Sequence, residues 1–424
     1  MFRTLLASLV LVAALLTGCR KPAEDDGNIK LTFWHIMNYE GPKEVLEAAV
    51  KRFEAAHPGV TVETQTFAND AYKDKLPVEV ASNTAPDVFF TWGGGMLAEF
   101  ARAGRVVKLD QALSKDGWHK RFIEQALAIC SSDGSAYAVP LDLAVVPLWY
   151  NRELLAKQGV TPPATFAELL AACKKLRQAD VTPLALGNQK VWPGAFYFVN
   201  LAARQGGTKL FLDAAAGRPG ATLDDRSFVT AGENLRRLVD AGAFPSGFNG
   251  LDDAAARTRF LNDEAAMYLM GTWLVARVKT EVPEFMDKLA CVPFPSVAGG
   301  KGDASTVVGG VNCAFAVSSS CKHPELATEL LRYLTAAEVV DGWCEIGRIP
   351  ALKTSEKQAF KLPEPTRQAQ ALLSKAAYLQ PYYDQYLRPR LAEEHKKTTQ
   401  GIFADTLTPQ AAADRMAKLA AKKQ

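Results

Sequence analysis

The chain has 424 residues, of which 48% are hydrophobic and 22% are charged, and its formal net charge is +3. A chain of this length fills more than one hydrophobic core, so we expect two domains. The small net charge, with cations and anions interspersed, argues against a nucleic-acid ligand, which would require a clustered basic face.

The first residues have the pattern of a bacterial secretion signal. An early cation precedes an apolar run over residues 5–16, which is too short to span a bilayer, and the run ends in Leu-Thr-Gly-Cys. That ending resembles a lipobox, in which Cys19 would carry lipid; the alternative is an ordinary signal with a chance cysteine. We predict a signal peptide over residues 1–18, a lipidated tether over residues 19–27, and an extracytoplasmic location on a bacterial membrane.

Strands and helices alternate along the rest of the chain. Residues 29–34 alternate apolar and polar side chains as a strand does. An amphipathic helix follows from Pro42 to the His-Pro-Gly stop at residues 57–59, and a second strand begins at Val60. Strand, helix and strand within this length predict a parallel pair.

The same patterns predict further elements downstream. Strands are expected at residues 86–91, 137–140, 145–150, 266–270, 289–294 and 310–317, and helices at 166–178, at 324–335 and from Pro409 onward. Within them, Cys173 has a helical setting and Cys313 a strand-like one, where a free buried thiol is the usual outcome. No CxxC pair or cysteine–histidine cluster occurs, so we predict no metal, no cofactor and no particular disulfide.

An ordered set of fragments resembles the family 1 extracellular solute-binding proteins. These are the sugar-binding lipoproteins and periplasmic proteins of ABC importers, the group of maltose-binding protein. The fragments are Ile29–Trp34, Phe53–Val60, Ala85–Phe89, Tyr137–Pro140, Leu148–Asn151, Phe166–Leu169, Gly271–Trp273, Gly309–Gly310 and Pro324–Thr335. They cover almost the whole chain after the tether, in the order that the family has.

The resemblance implies an α/β, two-lobed periplasmic-binding-protein fold, in which the chain crosses between the lobes and a ligand cleft lies at the hinge. By that pattern lobe one would comprise residues 28–141 and 296–343, and lobe two residues 142–295 and 344–424. It also implies three partners: a sugar or oligosaccharide ligand, ABC transporter permease subunits, and a membrane reached through the N-terminal lipid. The protein itself would be a monomer.

Tryptophans at strand ends, in a Pro-Gly loop and near a lobe crossing are the candidate sugar contacts. A pyranose ring has an apolar C–H face and an edge of hydroxyls, so its site needs aromatic plates and polar side chains. The candidate plates are Trp34, Trp92, Trp192, Trp273 and Trp343. Burial in a core is the alternative for each of them. Gly93 to Gly95 would let a ligand approach the backbone after Trp92, whereas Trp149 is assigned to a core and Trp118 to a surface helix.

Polar candidates stand near the same strand ends. They are His35, Asn38, Tyr39, Glu40, Asn69, Asp142 and Arg348. Asp142 matches a cleft acid of the family but also suits a turn, and Arg348 either faces the cleft or pairs with an acid. Glu40 and Asn69 have helix capping as their alternative.

These residues favour a binding protein that captures a carbohydrate, with several plates suggesting an oligosaccharide. Glycerol phosphate or another charged small solute is the alternative ligand, which would need cations or helix N-termini. A surface glycoside hydrolase is the alternative from another class, and it would need two carboxylates, such as Asp142 and Glu40. No GxSxG motif occurs and the five histidines are scattered, so we predict no catalytic residues.

Overall fold

The computed structural model describes residues 28–422, so the predicted signal peptide, Cys19 and the tether lie outside the described residues. The strands are β1 (Ile29–His35), β2 (Val60–Thr66), β3 (Val88–Thr91), β4 (Ser131–Ser132), β5 (Ser135–Ala136), β6 (Ala138–Val145), β7 (Leu148–Asn151), β8 (Thr182–Ala185), β9 (Ala265–Leu269), β10 (Leu289–Val292), β11 (Val307–Val317), β12 (Ile349–Pro350) and β13 (Leu379–Gln380). Short 3-10 helices span Lys115–Arg121, Phe248–Gly250 and Pro283–Asp287.

The α-helices surround the sheets. They are α1 (Pro42–Ala56), α2 (Asn69–Ala81), α3 (Gly94–Arg102), α4 (Asp110–Ser114), α5 (Glu124–Ile129), α6 (Arg152–Lys157), α7 (Phe166–Gln178), α8 (Trp192–Ala215), α9 (Arg226–Asp240), α10 (Asp253–Leu261), α11 (Trp273–Glu281), α12 (Pro324–Leu334), α13 (Ala337–Glu345), α14 (Glu356–Phe360), α15 (Glu364–Lys375), α16 (Tyr383–Tyr386), α17 (Pro389–Phe403) and α18 (Pro409–Ala420). None of these described helices has both the length and the apolar character that crossing a membrane requires.

Two main sheets organise the chain. The larger has the order β12-β6-β11-β3-β1-β2, with β13 paired to β11, and the smaller has the order β10-β7-β9-β8. Strands β1 and β2 run parallel from the Ile29–Val60 pair to the His35–Thr66 pair, which confirms the predicted strand–helix–strand unit. Strand β11 is antiparallel to β3 and β6, so the sheet is mixed rather than purely parallel.

Local sequence signals explain helix α7 well. Thr165 accepts a hydrogen bond from the Glu168 backbone N–H, while the Glu168 carboxylate accepts from the Thr165 backbone, which is a capping box. Leu169, Cys173 and Leu176 lie at helical spacing and are fully buried. The predicted bounds of this helix are confirmed to the residue.

The strands predicted at 137–140 and 145–150 have different limits in the structure. Strand β6 continues to Val145 because its ladder with β11 does, through the Leu143–Val311 and Val145–Gly309 pairs. Strand β7 begins only at Leu148. The break predicted between residues 140 and 145 therefore lies inside a continuous strand. Every residue of β6 is buried, so its sequence lacks the apolar–polar alternation by which a strand is recognised.

Two hydrophobic cores form the two lobes. The first contains β1, β2, β3 and α1, and the second contains β7, β8, β9 and α8. Strand β6 contributes Leu143 to the first core and Val145 to the second, while β11 contributes Val311 and Val308 in the same way. Both strands therefore cross between the lobes; the residue limits given for the lobes stay a prediction.

Burial corrects one tryptophan and confirms others. Trp118 was expected on a surface helix, but it is 2% exposed in the first core, where the Arg332 guanidinium lies 4.5 Å from its ring centroid. Trp149 is fully buried as predicted, and its indole N–H donates to the Met270 carbonyl at 2.8 Å. Cys173 and Cys313 are free and buried, as their patterns predicted.

The glycine run after Trp92 brings two parts of the protein together. A Cβ on Gly94 would lie 2.3 Å from the Gln385 carbonyl oxygen, and one on Gly95 would lie 2.2 Å from that of Leu387. A Cβ on Gly93 would lie 2.7 Å from the Ile129 carbonyl oxygen. The expectation that these glycines let a ligand approach is therefore wrong, because the backbone around α16 already occupies the space at Gly94 and Gly95. They let lobe one meet a segment that packs in the second core.

We expect Gly95→Ala to destabilise the protein by about 1–3 kcal/mol, because its new methyl group would collide with a backbone carbonyl that cannot move cheaply. Gly250→Ala is the matched control, since its Cβ would meet nothing within 4 Å. Urea unfolding of both variants measures the difference. Equal midpoints for the two variants would show that the contact between α3 and the Gln385–Leu387 segment is loose.

Candidate ligand-binding cleft

A cleft with a volume of about 370 Å³ lies between the two cores. Pockets for small molecules are usually mostly apolar, measure roughly 300–1,000 Å³ and carry a few well-placed polar groups. The aromatic residues that line this cleft are Tyr39, Trp92, Trp192, Phe196, Tyr268, Trp273 and Tyr382. Four residues with amide side chains also line it: Asn38, Asn69, Asn312 and Gln385. The cleft therefore offers flat apolar surfaces beside uncharged hydrogen-bonding groups.

Four rings from the second core form one wall. The Trp192 and Trp273 ring centroids are 6.3 Å apart, and Phe196 lies 5.6 Å from Trp192 and 6.1 Å from Trp273. Tyr382 extends this wall at 5.7 Å from Phe196, and its hydroxyl donates to the Ala144 carbonyl at 2.9 Å. Edge-to-face and tilted contacts hold the rings in fixed orientations, so the wall is preformed.

The local backbone explains how the two tryptophans are presented. A Cβ on Gly271 would lie only 2.1 Å from the Trp273 ring, so glycine is what allows that ring to fold back beside its own strand end. Val191, just before Trp192, has φ of 58°, in the left-handed region that a β-branched residue rarely adopts. Such strain persists only where its surroundings enforce it, and it often marks functional positions.

The opposite wall comes from lobe one. Trp92 follows β3, packs edge-on against Phe90 at 4.8 Å and is 8% exposed. Lys73, on helix α2, places its ammonium 5.0 Å from the Trp92 ring centroid and 5.6 Å from that of Trp192. Burial lowers the pKa of Lys73, and the Asp384 carboxylate opposes that decrease. Lys73 therefore links the two walls by cation–π contacts.

A buried ion pair forms the floor of the cleft. Arg348 donates to the Asp142 carboxylate at 3.0 Å, and both side chains are almost fully buried. The Trp343 indole N–H donates to the same carboxylate at 3.1 Å, and the Asn312 amide lies 3.3 Å from it. Burial raises the pKa of the Asp142 carboxyl, and the Arg348 guanidinium opposes that rise.

Tyr39 connects this floor to both walls. Arg348 donates to the Tyr39 hydroxyl at 2.6 Å, and the Arg277 guanidinium from helix α11 lies 3.4 Å from the Tyr39 ring centroid. Tyr39 belongs to the loop after β1, whereas Arg277 belongs to the second lobe. The contact between them is a second cation–π bridge across the cleft.

The arginines at the rim are paired with protein carboxylates. The Tyr268 hydroxyl donates to Asp253 at 2.5 Å, and Arg257 lies 3.6 Å from the same carboxylate. Arg257 also donates twice to Glu281, at 2.8 and 3.1 Å, and Arg277 reaches Glu281 at 3.4 Å. These arginines are therefore already neutralised by protein carboxylates.

Seven of the predicted site residues line the cleft: Asn38, Tyr39, Asn69, Trp92, Trp192, Trp273 and Arg348. Asp142 and Trp343 lie beneath it and are fully buried, and the Asp142 carboxylate accepts from both Trp343 and Arg348. His35 is also fully buried, and burial lowers its pKa to about 4. Trp34 packs on Phe67 at 4.9 Å, and Glu40 is exposed; neither lines the cleft.

Several lining residues were missed from the sequence. The main ones are Lys73, Phe196, Asp253, Arg257, Tyr268, Arg277, Asn312, Tyr382 and Asp384. Lys73 and Arg277 follow the predicted Asn69 and Trp273 by four residues on a helix, a spacing that places them on the same face and could have identified them. Asn312 sits where the β6–β11 register shifts, and a bulge of this kind re-aims a side chain.

Metal-binding chemistry is not evident in this part of the chain. Within residues 28–422, no group of three or more His, Cys, Asp or Glu side chains could hold a metal ion.

Comparison with known proteins gives one family match. A model described as bacterial extracellular solute-binding protein matches residues 39–341, which is more than half of the chain.

Solved structures and a sequence relative point the same way. A structure from work on xylan utilization by the thermophilic bacterium Caldanaerobius polysaccharolyticus is 32% identical, covers 92% of this chain and 100% of its own, and has a TM-score of 0.87. A chitin oligosaccharide binding protein is 24% identical, with 93% and 98% coverage and a TM-score of 0.85. The multiple sugar-binding protein of Streptococcus mutans is 23% identical over 356 residues, 82% of this chain and 81% of that protein. These likenesses confirm the two-lobed fold.

We expect Arg348→Met to destabilise the protein by about 3–5 kcal/mol, because it leaves the Asp142 carboxylate buried without its cation. Asp142→Asn combined with Arg348→Met should recover part of that loss, since no buried charge remains. Lys30→Met is the matched control: its ion pair with Glu63 is largely exposed and contributes at most about 1 kcal/mol. Chemical unfolding measures all three, and an Arg348→Met loss no larger than that of Lys30→Met would contradict this account of the floor.

Proposed function

This chain belongs to the bacterial extracellular solute-binding proteins, as the resemblance predicted, and we propose that it captures a carbohydrate in the cleft and delivers it to an ABC transporter permease. The observation that carries the proposal is the preformed wall of Trp192, Phe196, Trp273 and Tyr382 beside uncharged amide groups. Indole faces stack on the C–H face of a pyranose, and amides both donate to and accept from its hydroxyls.

We propose an oligosaccharide rather than a single ring. Aromatic plates stand on both walls, Trp92 on one and Trp273 on the other, so more than one sugar ring has a surface to stack on. The 32% identity to a structure from work on xylan utilization supports fragments of such a polysaccharide as the first ligands to test. The name of the Streptococcus mutans relative, a multiple sugar-binding protein, agrees with a carbohydrate ligand.

A charged solute such as glycerol phosphate is supported less well. Arg348 is engaged by Asp142, and both Arg257 and Arg277 are engaged by Glu281. An anionic ligand would have to displace a protein carboxylate from each of these cations. A site built for phosphate would instead keep several cations free to bind it, whereas Lys73 is the one cation lining this cleft that has no ion pair among the described residues.

A glycoside hydrolase is also supported less well by the geometry. The carboxylates considered for it were Asp142 and Glu40. Asp142 is fully buried in an ion pair, and Glu40 is exposed and does not line the cleft. The two therefore do not flank a bond of a ligand in the cleft, as an acid–base pair would have to.

Delivery would take place outside the cytoplasmic membrane. We propose that Cys19 carries the lipid, that the tether holds a monomeric receptor beside its permease, and that the closed, ligand-bound form is the one recognised. Lipidation is tested by expressing the whole chain with a labelled fatty acid. Label in the wild type and none in Cys19→Ser is the expected result, and equal labelling would contradict it.

The ligand class is tested by calorimetric titration of a soluble form, begun after Cys19, with xylo-oligosaccharides, chito-oligosaccharides, maltodextrins and monosaccharides. We expect one neutral family to bind, with oligosaccharides tighter than the corresponding monosaccharide because they contact more plates. Glycerol phosphate and polyamines are included in the same panel. Binding of these alone would overturn the carbohydrate proposal, and consumption of a sugar would overturn the binding function.

We expect Trp273→Ala to weaken binding of that sugar by roughly 30-fold, which corresponds to about 2 kcal/mol for the loss of a buried aromatic contact. Phe360→Ala is the control, because Phe360 is 84% exposed and does not line the cleft. The dissociation constants of both variants are measured by titration. Unchanged affinity in Trp273→Ala would remove this ring from the sugar site.

A further inference from the structure

Lys73 is the cation of the cleft that the protein leaves without an ionic partner. Among residues 28–422, no hydrogen bond or ion pair of its ammonium is present, in contrast to Arg257, Arg277 and Arg348. The ammonium lies 5.0 Å from the Trp92 ring centroid and 5.6 Å from that of Trp192.

The surroundings of Lys73 have the composition of a site for an organic cation. Two indole faces attract a positive charge, and Trp is the strongest of the aromatic side chains in this respect. The carboxylates of Asp70 and Asp384 also line the cleft and act on the Lys73 charge. Neither carboxylate has a salt-bridge partner within the described residues. Rings and carboxylates together would attract a ligand ammonium, as they attract that of the lysine.

We propose that Lys73 is a specificity-determining residue: its ammonium fills this cage of Trp92, Trp192, Asp70 and Asp384 from within and so excludes cationic solutes. A ligand ammonium would meet a like charge at the place where it could otherwise bind, whereas a neutral hydroxyl would meet a hydrogen-bond donor. The proposal rests on the proposed binding function of the cleft, but its test requires no sugar.

The test is chemical replacement of the missing side chain. Lys73→Ala removes the ammonium and the three methylenes beyond Cβ, and it leaves the rings and carboxylates in place. The probe is n-butylammonium, because it carries the same charged group on an alkyl chain only one carbon longer than the part removed. We expect n-butylammonium to bind Lys73→Ala at least about tenfold more tightly than the wild type, since two ring contacts become available. Calorimetric titration and tryptophan fluorescence, which reports on Trp92 and Trp192, measure the binding.

Matched variants identify the cause. Lys73→Met keeps most of the side-chain volume without the charge, so it should block the probe, and n-butanol should show no preference for Lys73→Ala. Adding Asp384→Asn or Trp192→Ala to Lys73→Ala should weaken probe binding by several fold. Probe binding that is insensitive to both additions would overturn the proposal, because the ammonium would then lie elsewhere.

The wild type gives a result that does not depend on the folding of any variant. Spermidine and n-butylammonium should not raise its thermal midpoint, and a saturable rise with either would overturn the proposal. Equal affinity of Lys73→Ala and the wild type for the probe would do the same. Failure of the wild type to bind any sugar would instead refute the proposed function, and it would leave the outcome of the amine titration unaffected.

Discussion

The ion pair between Asp142 and Arg348 is the constraint on which the cleft depends. Taking both charges out of water costs several kcal/mol per ion, so the pair depends on further hydrogen bonds to its two members. Trp343, Asn312 and Tyr39 supply them. These five side chains come from β6, the turn before β12, α13, β11 and the loop after β1, so one polar cluster fixes where both crossing strands meet. The main consequence of this cluster is geometric, because it fixes the floor of the cleft and, through the floor, the positions of the two walls.

Charge pairing around that floor determines what the cleft leaves for a solute. The three arginines that line the cleft are paired with three carboxylates, those of Asp142, Glu281 and Asp253, and Asp253 also accepts from the Tyr268 hydroxyl. The ring faces and amides such as Asn38 still have unused capacity, and the charges of Lys73, Asp70 and Asp384 have no salt bridge within the described residues. A neutral polyol with an apolar ring face suits this cleft, because it can stack on the aromatic rings and hydrogen-bond to the amides without disrupting an ion pair.

The fold and part of this cleft could be predicted from the sequence because their signals are local. Trp92 and Trp273 follow buried strands and stand beside glycines, which suffices to place them at the sheet edge where ligands gather. Asp142 was predicted from the family resemblance and Trp343 from its place near a lobe crossing, yet both lie under the cleft. Local context does not say which way a buried side chain on β6 or α13 points. Lys73 and Arg277 lie on helices and resemble solvated surface residues until the opposite lobe is in place.

Contacts within the protein already join the two lobes across this cleft. The Arg277–Tyr39 and Lys73–Trp192 contacts each join one lobe to the other, and cation–π contacts of this kind contribute on the order of 1 kcal/mol apiece. A ring that enters between the walls must replace whichever of these contacts it separates. Affinity is therefore set by how far stacking and hydrogen bonding exceed the cation–π contacts that are lost, rather than by the area that the ligand buries. Because Tyr39 also accepts from Arg348, loss of the Arg277–Tyr39 contact acts on the floor of the cleft, whereas loss of the Lys73–Trp192 contact involves the walls alone.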